Sequence, residues 1–77
     1  MAHYTATEEF APYNNNPDLE ALLIVDAGTG SVTLQANSDG EWITAEVFSA
    51  DTVKRVAVGG GTWRCLVAGN AEFDWTV

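Results

Sequence analysis

Ser31-Val32-Thr33-Leu34-Gln35-Ala36-Asn37-Ser38-Asp39-Gly40-Glu41-Trp42-Ile43-Thr44-Ala45-Glu46-Val47-Phe48 is the stretch on which the fold turns. Val32, Leu34 and Ala36 alternate with Thr33 and Gln35, the period-2 pattern of a strand with one buried face. Asp39-Gly40 then suits the positive φ angles of a type I′ turn or a bulged hairpin loop. The return strand, Glu41 to Phe48, alternates again. Ile43, Ala45 and Val47 are expected to face one way, and Trp42, Thr44, Glu46 and Phe48 the other.

The same grammar continues outward. Thr52 to Val58 sets Val53 and Ala57 against Lys54, Val56 and Val58. Gly59-Gly60-Gly61 ends that strand, and Thr62 to Ala68 follows with Trp63, Cys65 and Val67 on one face. Gly69-Asn70 is a turn, and Phe73, Trp75 and Val77 alternate with Glu72, Asp74 and Thr76. Upstream, Asp18 to Asp26 could open as a helical turn, but its β-branched end favours a buried strand. Asn14-Asn15-Asn16-Pro17-Asp18 is a loop by composition, and Tyr4 to Thr7 is either a strand or part of an arm. No 3.6-residue apolar period occurs. Six or seven short strands joined by Gly, Asn and Asp turns predict an all-β antiparallel sandwich or small barrel. We place the domain at residues 18–77 and expect residues 1–17 to be an N-terminal arm.

Composition narrows the function classes. The chain has 77 residues, with 11 Asp and Glu against 3 Lys and Arg, for a net charge of −8. That length allows one domain, and 47% apolar residues is a globular composition. A single Cys excludes an internal disulfide, and a single His beside it argues against structural zinc. Three basic residues cannot make the phosphate contacts that hold a protein on nucleic acid, and an anionic membrane is an equally poor partner. The longest apolar run, Ala21 to Val25, is far short of the ~18 residues of a membrane helix. The N-terminus lacks the pattern of a signal peptide, so we expect a protein made and kept in a cytoplasm, or released by lysis. For 8.2 kDa, area scaling predicts a folded surface of roughly 4,500 Å². With no disulfide or metal to stabilise so small a core, oligomerisation is the remaining means.

None of the chemical motifs outweighs its bland reading. Gly59-Gly60-Gly61-Thr62 could cradle a phosphate, but such loops lead into a helix, and Trp63-Arg64-Cys65-Leu66 reads as a strand. Asp39 with Glu41, or Glu72 with Asp74, could act as acid and base only across a cleft, for which a domain this small has no room. Cys65 reads as a small buried apolar residue, and His3, its one potential base, lies in an expected mobile terminus. Asp26, Asp39 and Asp51 match no calcium-loop spacing, leaving at most an adventitious ion at a subunit boundary. Trp63 and Trp75 sit in apolar faces and read as packing residues. Trp42, beside the Asp-Gly turn, is the best candidate for exposure, and with Asp39 it forms a candidate ligand contact. No catalytic residue, cofactor or metal ligand is expected.

Ser31 to Trp42 resembles the "sVtLq.S.DG..W" hairpin of small β-sandwich structural proteins from tailed bacteriophages. Thr62 to Trp75 is similar to their "..yR.vv.G.a.v.v.w" C-terminal hairpin. The two stretches cover roughly half of the chain. The resemblance implies a virion component, either a head decoration (cement) protein or a tail knob or spike, trimeric and without enzymatic activity. It also implies location in the virion, with the major capsid protein or another virion protein as partner.

We therefore expect an all-β sandwich of jelly-roll type that assembles as a homotrimer. Tyr4, Phe10, Tyr13, Phe48, Trp63, Phe73 and Trp75 are the expected interface residues, and the arm from Tyr4 to Tyr13 would add to a neighbour's sheet edge. The rival reading is a tail knob or carbohydrate-binding module that uses Trp42 and Asp39. An enzyme subunit is the weakest alternative.

Overall fold

The computed structural model describes residues 2–77, and all regular structure in it is β. Eight strands follow in order: β1 (Ala2–Tyr4), β2 (Glu8–Glu9), β3 (Glu20–Asp26), β4 (Ser31–Ser38), β5 (Glu41–Phe48), β6 (Thr52–Ala57), β7 (Trp63–Ala68) and β8 (Glu72–Thr76). They form two four-stranded antiparallel sheets, ordered β1-β8-β3-β6 and β2-β7-β4-β5. We call these sheets A and B. Each strand thus pairs with the strand that mirrors it in chain order: first with eighth, second with seventh, third with sixth, fourth with fifth.

One core lies between the sheets. Ala21, Leu23 and Val25 of β3, Val56 of β6, and Phe73 and Trp75 of β8 enter it from sheet A. Val32 and Leu34 of β4, Phe48 of β5 and Cys65 of β7 enter it from sheet B. In β4, β7 and β8 the alternation in the sequence groups Val32 with Leu34, and Phe73 with Trp75, and sets Cys65 apart from Arg64, because a strand sends successive side chains to opposite faces. The folded surface is 4430 Å², close to the value that scaling predicts for a compact chain of this mass.

The 31–48 hairpin forms as its turn chemistry requires. Asp39 and Gly40 have φ angles of 52° and 89°, the positive pair of a type I′ turn, and the Gly40 N–H donates to Asn37 Oδ1 at 3.1 Å. The expected facing of β5, however, is corrected. Leu34 lies opposite Glu46 while Gln35 lies opposite Thr44, so Ala45 is an extra residue in a β-bulge. Beyond the bulge the pleat reverses. Ile43 falls opposite Ala36 and Val47 opposite Thr33, which puts them on opposite faces of sheet B.

Residues 2–17, which belong to the segment expected as an arm, pack on the chain's own two sheets. Within the same chain His3 pairs with Asp74 and Tyr4 with Phe73, while Glu8 and Glu9 pair with Cys65 and Arg64. Phe10 is buried. Its ring stacks on Trp75 with centroids 4.5 Å apart and meets Phe73 edge-on, and Tyr4 stacks on Phe73 at 5.1 Å. Trp75 Nε1–H donates to the Tyr13 hydroxyl at 2.7 Å, which satisfies the indole's only donor. The segment closes one flank of the core.

The glycine run ends β6 and meets the asparagine loop. A Cβ on Gly59 would lie 1.9 Å from the Asn16 carbonyl oxygen, and the Gly60 N–H donates to the Asn14 carbonyl at 2.6 Å. Close backbone approach therefore accounts for glycine at this position.

Candidate functional site

The two flanks of the molecule are built differently. On one, the short β1 and β2 form the sheet edges and the aromatic cluster of Tyr4, Phe10, Phe73 and Trp75 fills the space behind them. On the other, β6 and β5 are the edges, and Glu46 Oε1 meets Lys54 Nζ at 3.2 Å. Lys54 lies opposite the buried Leu23, and Glu46 opposite the buried Leu34. Both side chains therefore leave their strands on the core side, and the ion pair spans the gap between the sheets.

The two edge strands joined by that bridge also carry exposed apolar residues. Ile43, Val47 and Val53 are 53%, 57% and 67% exposed, and among the described residues the other large apolar residue so exposed is Val77. The bulge explains two of the three, because it swings Ile43 and Val47 to different sides of an edge strand. Val53 lies opposite Ile24, on the outer face of sheet A. Two of the protein's three basic residues, Lys54 and Arg55, belong to this edge.

A second cluster covers the outer face of sheet B. Arg64 of β7 lays its guanidinium over the Trp42 ring, 4.2 Å from the centroid. Its Nε–H donates to Gln35 Oε1 at 2.7 Å, and Gln35 Nε2–H donates to Thr44 Oγ1 at 3.1 Å. The register places Arg64, Gln35 and Thr44 side by side across β7, β4 and β5. Trp42, one alternation further along β5, is half-exposed.

The third cluster is His3, Glu72 and Asp74 on the outer face of sheet A. His3 Nε2 meets Glu72 Oε1 at 2.9 Å, and Nδ1 meets Asp74 Oδ1. A carboxylate only accepts, so both contacts require a doubly protonated ring. The hydrogen bond to Glu72, then that to Asp74, accordingly raises the imidazole pKa above its ordinary 6.5. His3 was expected in a mobile terminus, but it sits within a paired strand and pins β1 to β8. The polar face shared by Glu72 and Asp74 was legible in the sequence, whereas the partner 69 and 71 residues away was not.

The remaining candidates fall as follows. Phe10, Phe48, Phe73 and Trp75, expected at an interface, are buried in the chain's own core. The physical reason is the small core itself, which takes up every large aromatic within reach. Tyr4, Tyr13 and Trp63 pack against that core and stay partly exposed. Cys65 is fully buried, and loss of hydration pushes its thiol pKa up to about 12, far from nucleophile chemistry. Asp39 is exposed at the hairpin tip and makes no contact with the Trp42 cluster. Among the described residues no group of three or more His, Cys, Asp or Glu is placed to hold a metal ion. A depression lined by Ile24, Val25, Asp26, Asp51, Thr52 and Val53 is shallow and open. Compared with protein-family models, with curated proteins and with solved structures, the chain matches none.

Proposed function

We propose that this protein is a non-enzymatic structural component of a bacteriophage virion, a capsid decoration or cement protein that assembles as a trimer and ties down the shell. The β5–β6 flank carries this reading. Ile43, Val47 and Val53 stand exposed along its two edge strands, which the Glu46–Lys54 pair joins, so desolvating it buries apolar surface without bringing unpaired like charges together. The rest of the surface is acidic and keeps the free subunit soluble. The major capsid protein, or another virion protein, is the second partner.

The strand order supports the finer architecture. Pairings of first with eighth, second with seventh, third with sixth and fourth with fifth strand are those of a long hairpin ribbon rolled into two facing sheets. They favour the jelly-roll plan, common in viral shell proteins, as our reading of the two sheets.

Sedimentation equilibrium tests the assembly. A trimer of three times the 8.2 kDa chain mass is expected, and the double variant Val47→Glu/Val53→Glu should sediment as a folded monomer. A wild-type monomer at all concentrations overturns the reading. Electron microscopy of purified virions then tests location, with density expected on the outer shell in threefold groups.

A further inference from the structure

We propose that the outer face of sheet B holds a binding site for a sugar that carries a single carboxylate, with Arg64, Trp42 and Gln35 as its contacts. The site does not depend on where the protein assembles. It follows from how an arginine has been held in a strongly acidic chain.

Arg64 is oriented but not neutralised. Its Nε–H is committed to Gln35 Oε1 at 2.7 Å, and the Trp42 ring supports the guanidinium from a centroid distance of 4.2 Å. Stacking on an aromatic face leaves the in-plane N–H donors free to point sideways. Glu9 is the cross-strand neighbour of Arg64, yet no carboxylate among the described residues lies within ion-pair distance of it. The terminal nitrogens therefore present a fork whose natural complement is a carboxylate, taken in bidentate fashion. The side-chain entropy of ordering a long cation has been met before the ligand arrives.

The surroundings select the rest of the ligand. Gln35 and Thr44 line the face beside the fork with an amide and a hydroxyl, groups suited to a ring bearing several hydroxyls. The half-exposed Trp42 supplies an apolar surface at its edge. Polyanions are excluded electrostatically, since Glu9, Asp39 and Glu41 lie nearby and the chain carries −8. One carboxylate can be met by one guanidinium, and a chain of them cannot.

NMR of the full chain tests this by following the Arg64 Nε–H and Trp42 Nε1–H resonances during titration with sialyllactose, lactose or acetate. Saturable shifts are expected with sialyllactose, at a Kd on the order of 1 mM, and much smaller ones with lactose or acetate. Arg64→Gln should weaken binding at least tenfold. Gln35→Glu keeps the arginine but places a carboxylate against its Nε, and should weaken binding as much. It also serves as the test should Arg64→Gln fail to fold. Equal shifts with lactose would mean a neutral-sugar surface, and equal shifts with acetate a receptor for any acidic side chain. Either result, or no saturable shift with sialyllactose, or unchanged binding in Gln35→Glu, overturns the proposal.

Discussion

The two flanks of this small protein solve the same problem in opposite ways. Each must close the open side of a two-sheet core. The β1–β2 flank does so with ring packing: strands of three and two residues carry a segment whose Phe10 stacks between sheets and whose Tyr13 hydroxyl receives the Trp75 indole N–H. The β5–β6 flank uses strands of eight and six residues, leaves Ile43, Val47 and Val53 outside, and spans the gap with one ion pair. Burying aromatics stabilises a monomer, whereas exposing valines and an isoleucine does nothing for it. The difference teaches that the first flank spends its large side chains on folding, whereas the second leaves three of them in water. The bulge at Ala45 and the inward-directed charges of the second flank also blunt its exposed edges against indiscriminate strand pairing.

The largest expected effect breaks the first flank. Phe10→Ala removes a buried ring that touches Tyr4, Phe73 and Trp75, which should cost about 3–5 kcal/mol. That is much of the stability of a domain this size. Urea unfolding should show a large fall in midpoint, and an unchanged midpoint would mean that the segment is only a covering.

The next effect is a pH dependence confined to β1. His3 has a raised pKa in the folded state, so its contribution is fully present below the unfolded value near 6.5 and is lost as pH rises through the folded pKa. Amide exchange of residues 2–4, corrected for its intrinsic pH dependence, should therefore speed up above that range, and His3→Gln should remove the change. Equal protection of β1 on both sides of the transition would show that backbone pairing alone holds the strand.

The smallest effect lies on the second flank. A double-mutant cycle of Glu46→Gln and Lys54→Met should give a coupling of about 0–1 kcal/mol, because both side chains are nearly half-exposed and water screens the pair. A coupling well above that range would make the bridge a structural clasp and erase the contrast between the flanks.

How much of this was legible in the residues depended on distance along the chain. Asp39-Gly40 and the alternation of Val32, Leu34, Cys65, Phe73 and Trp75 are local signals, so the strands from β3 to β8 and most of their buried faces could be read directly. The pairing of β1 and β2 could not. Three and two residues carry no usable periodicity, and their partners lie 55 to 73 positions away. The bulge was hidden for a related reason, since Ile43-Thr44-Ala45-Glu46-Val47 alternates without fault and only pairing with β4 displaces Ala45. Of the candidate sites, Trp42 was visible as an exposed aromatic, but Arg64 stands 22 positions further along the chain and meets it only across β4.

By itself, then, the sequence determined an acidic, all-β fold, because composition, turn chemistry and period-2 patterning act within a few residues. The tertiary structure decided which aromatics were consumed by the core, where the N-terminal segment docked, and which edge kept its apolar side chains in water. Those outcomes depend on which strands meet. Loop closure brings residues together with a cost that rises only slowly with chain separation, so neighbours in space need leave no trace in the order of the residues.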